Sequence, residues 1–325
     1  MNRVSQSLFA GLLSISSVLL PTAAVQADPA SCHNVTLGLV EWTDLEVTST
    51  VAEVLLEKLG YKVNTVTDSV DGIYQQMASK NADAFLGNWI PTSSESIAPY
   101  LGRRELEVLE TNLNGAMYTL AVPQYVYDQG VTSVADLARY ADRFGDRIYG
   151  LEAGNDGNKE VQSMIDKNAF GLGKFKLIET SERLMLAQVK GKTRKGDWIA
   201  FLAWTPHPMN QNFDIAYLDG ADDYFGPNKG AAQVRTIVRG GLKEECPNVA
   251  RLLTNLTFSL EMEEKVMDQV MNGFVPTKRA VHMWMNQNEA QLAHWLKGVK
   301  TLDGQSPDSM AIASSLKVGL GRDPD

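Results

Sequence analysis

Residues 35–67 read VTLGLVEWTDLEVTSTVAEVLLEKLGYKVNTVT, and the changes of hydrophobic period inside this stretch decide the fold class. Residues 35–41 are an apolar, β-rich run. Across 48–59, Val51, Val54, Leu55 and Leu59 return on one helical face, and Gly60 supplies the stop. Alternation resumes over 61–67. A strand, a helix and a strand in this order predict parallel pairing, because a crossover helix brings the chain back in its original direction.

The same alternation runs outward from this unit. A helix is expected over 70–80 and a short strand, ADAFLG, over 82–87. It restarts after Pro123, with helices at 134–140, 159–165 and 181–190 interleaved with strands at 147–151, 175–179 and 199–203. A β run at 233–238 then precedes helices at 249–255, 262–271 and 288–299, and a polar, frayed tail follows Gly319. The expected fold is therefore α/β with two lobes. Residues 28–121 and 230–325 make one lobe and 122–229 the other, and two crossing segments form a hinge beside a cleft. Ligands favour such clefts.

The bulk numbers agree with an ordinary globular chain. With 325 residues, 44% of them hydrophobic, 21% charged and 12 prolines, disorder and fibrous folds are excluded. No run reaches the roughly 18 apolar residues of a membrane span. Residues 1–27 combine Arg3, an apolar stretch over 8–20 and VQA at 25–27, which is a cleavable export signal cut after Ala27. Its removal deletes only Arg3 and leaves 29 basic against 39 acidic residues, a net charge of −10. Nucleic acid is a poor partner for such a surface, whereas a cationic ligand is attracted to it. Cys32 and Cys246 are the two cysteines, and an even count in an exported protein predicts one disulfide between them. The bridge would place both ends of the chain in one lobe.

Catalytic and cofactor signatures are missing. GKT at 191–193 has Leu186 where a phosphate-binding loop requires glycine, and GLG at 171–173 has Lys176 where a dinucleotide fingerprint requires its third glycine. No Gly-x-Ser-x-Gly occurs. His33, His207, His282 and His294 lack the short spacings of a zinc site and read as core or surface residues. No catalytic residue, metal or cofactor is expected, so the protein reads as a binder and not an enzyme.

The aromatic residues are more informative. In open α/β sheets ligands meet the carboxyl ends of strands, and three of the six tryptophans are expected there: Trp42 after strand 35–41, Trp89 after 82–87 and Trp204 after 199–203. Tyr118 lies in NGAMYTLAV at 114–122, the expected first crossing segment. Trp198, Trp284 and Trp295 instead read as structural. Ring faces converging in a cleft attract a quaternary ammonium group, whose methyls forbid hydrogen bonds. Asp44 follows Trp42 in EWTD, and Asn155 and Asp156 form the GNDG turn at 154–157. Each of these three can equally serve as a helix cap or turn residue.

EWTD at 41–44, LGNWIPT at 86–92, GNDG at 154–157 and WTPHPM at 204–209 together resemble the choline and glycine betaine binding proteins of ABC importers, and the resemblance covers nearly the whole mature chain. It implies a type II-like periplasmic binding protein fold, closing over its ligand. It also implies that Trp42, Trp89, Tyr118 and Trp204 make an aromatic box, while Asp44 and Asn155 hold the ligand's hydroxyl end. The expected ligand is choline, the expected partner an ABC permease, and the expected form a periplasmic monomer. Choline is preferred to glycine betaine or carnitine because the Asp44 carboxylate would accept a hydroxyl hydrogen but repel a second carboxylate. A bilobal choline-ester enzyme is the more distant rival, and it lacks a visible nucleophile and base.

Overall fold

The computed structural model describes residues 28–317; the export signal expected at 1–27 and the tail expected after Gly319 lie outside the described residues. Among the described residues the strands are β1 (Asn34–Leu39), β2 (Lys62–Thr67), β3 (Ala84–Ile90), β4 (Leu106–Pro123), β5 (Arg147–Tyr149), β6 (Lys176–Ile178), β7 (Ala200–Thr205), β8 (Ile215–Tyr217) and β9 (Ala231–Arg239). They form one sheet in the order β2-β1-β3-β9-β4-β7-β5-β6, with β8 on β4.

The parallel pairing expected from residues 35–67 holds in two wings. β1 pairs in parallel with β2 and β3, and β5 pairs in parallel with β6 and β7. It fails in the middle: β9 is antiparallel to β3 and β4, and β4 is antiparallel to β7. The physical reason is that the chain crosses between the wings in strands and not in helices. The segment expected as a crossing at 114–122 is the end of an 18-residue strand whose first half, LEVLETNL, hides its alternation under glutamates. β4 pairs with β9 from Leu106 to Met117 and with β7 from Met117 to Ala121, so one strand borders both halves.

Helix α1 (Thr43–Lys58) begins five residues before the expected start at 48. Asp44 and Glu46 occupy its first turn, where carboxylates favour the positive end of the helix dipole. The buried face includes Asp44, Thr48 and Ser49 beside Val47, Val51 and Leu55, and these polar members obscured its periodicity. Helices α2 (Val70–Ala78) and α3 (Ser94–Gly102) follow β2 and β3. The serines and Pro99 of α3 concealed it, whereas Trp284, which reads as part of C-terminal helical sequence, lies in the helix Thr277–Gln287. The stretch expected as one helix at 134–140 is a single α turn, Val134–Leu137, followed by a 3-10 turn.

Trp198, Trp284 and Trp295 are structural, as expected. Trp198 meets Phe144 edge to face and carries Arg143 over its ring, the guanidinium 3.7 Å from the ring centre. Trp284 and Trp295 pack on each other with centroids 5.7 Å apart.

The N-terminal end of the described chain meets the segment around Cys246. Cys32 and Cys246 are disulfide-bonded with Cα atoms 5.7 Å apart, as the cysteine count predicted. Beside the bridge, the buried Asp28 carboxylate accepts the backbone N–H groups of Asn248 and Val249 at 2.8 and 2.9 Å and the Tyr61 hydroxyl at 3.0 Å. Asp28 thus satisfies N–H groups that the first turn of the helix Pro247–Asn255 leaves without intrahelical partners. Because the bridge spans 214 residues, restricting the unfolded chain stabilises the fold by about 5 kcal/mol in the chain-entropy account. Thermal melting with and without reductant checks this: reduction should lower the melting temperature, and an unchanged value would exclude a stabilising bridge.

Candidate functional site

The cavity is built where the two wings of the sheet face each other. Trp42 is the N-cap residue of α1, separated from the end of β1 by Val40 and Glu41. Trp89 and Trp204 were expected just after their strands; each is instead the last residue but one of β3 and β7. Tyr118 stands directly opposite Trp204 in the antiparallel β4–β7 pair, so both side chains leave the same face of the sheet. The rings contact edge to face: Trp89–Tyr118 centroids are 6.0 Å apart and Tyr118–Trp204 6.2 Å. All four aromatic residues are at most 7% exposed. They line one small cavity.

Asp44, Asn155 and Asp156 line the same cavity, so all seven residues singled out in the sequence converge on one place. Asp44 projects from the first turn of α1 and is 5% exposed. Burial pushes its carboxyl up, the neighbouring Glu182 charge adds to the effect, and the group reaches about 7 against opposing hydrogen bonds from the backbone of Asp44 and Leu45 and from the Trp89 side chain.

Asn155 is both cap and wall. Its Oδ1 accepts the N–H groups of Gly157 and Asn158 at 2.9 and 3.3 Å, capping the helix Asp156–Asp166. The same oxygen accepts the Tyr118 hydroxyl at 2.9 Å. Burial, reinforced by the Glu152, Asp156 and Asp44 charges, holds the Tyr118 phenol well above its ordinary value, so it stays protonated and donates. Gly157 makes the approach possible, because a Cβ there would lie 2.1 Å from the Tyr118 hydroxyl oxygen. Asp156 reaches the cavity wall with its carboxylate already engaged: it accepts the Ser93 hydroxyl, the Ser96 hydroxyl at 3.2 Å and Lys159 Nζ at 3.0 Å.

Several residues were not anticipated. Thr92, Ser93 and Leu151 complete the lining. Glu152 lies behind it, accepting Trp42 Nε1–H at 2.9 Å and Asn155 Nδ2–H at 3.1 Å, and so orients one wall against the other. Its place just past β5, at a strand's carboxyl end, was the available signal. His207 is fully buried against Trp204 at a centroid distance of 4.6 Å, inside the WTPHPM motif, and Glu182 accompanies it. Nothing in the sequence around Glu182 marked it. Among the described residues no cluster of His, Cys, Asp and Glu is placed to hold a metal ion, and no helix is long and apolar enough to cross a membrane.

The family described as the substrate binding domain of ABC-type glycine betaine transport systems matches residues 33–287. An uncharacterized protein of Chromohalobacter salexigens is 50% identical over 145 residues, spanning 44% of this chain and 94% of that protein. A solved ABC-transporter choline binding protein in complex with choline superposes with a TM-score of 0.86 at 42% identity, covering 89% of this chain and 100% of that one. A choline binding protein in an unliganded semi-closed conformation gives 0.80 at 42% identity over the same shares of both chains. The chain belongs to the family of substrate-binding domains of ABC-type glycine betaine transport systems.

Proposed function

We propose that this protein captures choline in the aromatic cavity and delivers it to the permease of an ABC importer. The observation that carries the reading is the convergence of three indoles and one phenol, each nearly excluded from water, beside a buried carboxylate. Ring faces at about 0.5–2 kcal/mol each supply roughly 2–8 kcal/mol towards a desolvated cation. Burial of the ligand's methyl groups adds to this, so binding in the micromolar range, about −8 kcal/mol, is within reach. The family is one of transport binding proteins and not of enzymes, which removes the choline-ester hydrolase from consideration.

In this reading the ligand-holding residues are Trp42, Trp89, Tyr118 and Trp204 around the ammonium group, with Asp44 and Asn155 at the hydroxyl end. Asp156 keeps Ser93 and Ser96 in place beside them. The lobes are 28–121 with 230–325, and 122–229; the exchange of partners along β4 near Met117 supports a division close to that boundary. The protein is exported to the periplasm after cleavage at Ala27 and works as a monomer. Calorimetric titration with choline and glycine betaine tests the assignment. Saturating choline that produces neither heat nor a change in tryptophan fluorescence would sink it.

Single replacements of Trp42, Trp89 or Trp204 by Ala should each weaken choline binding by about 1–3 kcal/mol, through lost cation–π attraction and apolar contact. Trp284→Ala should lower the melting temperature and leave affinity unchanged. Equal affinity losses at Trp284 and Trp89 would count against the site.

Glycine betaine is the second reading, and the raised Asp44 carboxyl says when it should apply. With its carboxyl at about 7 in the empty cavity, Asp44 is protonated below that pH and ionised above it. A bound cation favours the ionised form, so choline binding below pH 7 must expel a proton, and choline affinity should rise with pH until it levels off above about 7. Glycine betaine brings its own carboxylate, which the protonated acid can hydrogen-bond and the ionised one repels, so its affinity should fall over the same window. Asp44→Asn should flatten both profiles, and titrations at pH 5, 7 and 9 decide the matter. An unchanged choline-to-betaine ratio across wild type and variant would remove Asp44 as the discriminating residue.

A further inference from the structure

Glu182 is not part of the cavity lining, yet it touches what lies behind both walls. It opens the helix Glu182–Thr193 and is 5% exposed. Across the cleft, its Oε2 accepts the Thr43 backbone N–H at 3.0 Å and its Oε1 accepts the Thr43 hydroxyl at 2.7 Å. From its own side, His207 Nε2 lies 3.0 Å from Oε1. His207 Nδ1 accepts the Met209 backbone N–H at 2.9 Å, so that nitrogen carries no hydrogen and the ring's single proton sits on Nε2, donated to Glu182. One buried carboxylate therefore takes three hydrogen bonds. Two of them come from α1 and one from the opposite wing.

The partners on either side are themselves next to the cavity. Thr43 lies between Trp42 and Asp44, and His207 packs against the ring of Trp204. We propose that Glu182 is a positioning residue that ties Thr43 on one wall to His207 on the other, holding Trp42, Asp44 and Trp204 in their closed register and setting how long the ligand stays. This inference rests on the quaternary-amine reading of the cavity. Separating the walls strips Glu182 of two of its three donors, so the bonds stabilise the closed form alone. Burial would push the Glu182 carboxyl up, but the hydrogen bonds from His207 and Thr43 hold it below its ordinary range. It remains charged, and that charge is the second contribution, after burial, to the raised Asp44 carboxyl. Glu182 thereby acts on Asp44 without touching the ligand.

The test uses Glu182→Gln, Thr43→Val and the double variant of the full mature chain, with choline release followed by stopped-flow tryptophan fluorescence. Glu182→Gln should release choline about ten-fold or more faster, the scale of a charge-assisted hydrogen bond made in the closed state only. Thr43→Val, which deletes the hydroxyl alone, should show a smaller acceleration, and the double variant should be no faster than Glu182→Gln. The pH midpoint of choline affinity should also move down in Glu182→Gln, because the charge beside Asp44 in the empty closed cavity is gone. A folded Glu182→Gln protein with unchanged release and an unmoved midpoint overturns the proposal. If Glu182→Gln melts early, Thr43→Val carries the test, and unaltered release there overturns it equally. A wild type that binds glycine betaine but not choline overturns the choline reading alone, since the same measurements then run with betaine. A wild type that binds neither overturns both.

Discussion

A quaternary ammonium ion offers no hydrogen to a protein, so a site for it must replace water by ring faces and by charge, with little help from directional bonds. Ring faces are large and must come from several directions, and no single βαβ unit supplies them. The architecture here meets that requirement by taking Trp42 and Trp89 from one wing of the sheet, Trp204 from the other, and Tyr118 from the strand between them. β4 is the constraint on which the rest depends. Its ladder to β7 sets Tyr118 opposite Trp204, and its ladder to β9 brings the other wing to the same strand. Tyr118 then reaches Asn155 because residue 157 is glycine, and Asn155 caps the helix that carries Asp156 to Ser93. Box, cap and crossing strand are one connected object.

The parts of this object that sequence disclosed were those with local signatures. Hydrophobic period identified both parallel wings, and strand ends located Trp42, Trp89 and Trp204 to within two or three residues. The cysteine count identified the bridge. What stayed hidden was set by partners distant in sequence. The first half of β4 carries Glu107 and Glu110, so its alternation did not stand out from a loop, and nothing local could say that β9 would lie antiparallel between β3 and β4. α1 began earlier than its apolar stripe because Asp44 is buried for the sake of the cavity and not of the core. Asn155 shows why local and functional readings need not compete: the cap and the contact with Tyr118 use the same oxygen.

Residues behind the cavity escaped for a different reason. Glu152 and Glu182 are ordinary glutamates in polar sequence, and their roles come entirely from what faces them. Glu152 receives Trp42 and Asn155; Glu182 receives Thr43 and His207. Each links one wing to the other without lining the ligand's space. Spacing rules read helices, strands and motifs, and they cannot read a contact whose two halves are separated by 110 or 139 residues of chain.

Three buried carboxyls gather around the start of α1 and cannot all be ionised. Glu182 accepts three hydrogen bonds and is held below its ordinary range. Glu263 is 2% exposed, and burial followed by the Asp44 charge pushes its carboxyl well above the usual value, so it stays a neutral acid. Asp44 falls between these two, at about 7. Desolvation disfavours the charged form of all three; Glu182 overcomes it through His207 and Thr43, whereas Asp44 lies beside the Glu182 charge. Asp44 is also the one of the three that lines the cavity. Its ionisation is therefore free to respond to what enters: a cation draws out the carboxylate, whereas an empty closed cavity or an incoming anion favours the acid. The Glu182 charge beside Asp44, set against Asp44's own hydrogen bonds, is what leaves the ligand's charge to decide the charge of the site.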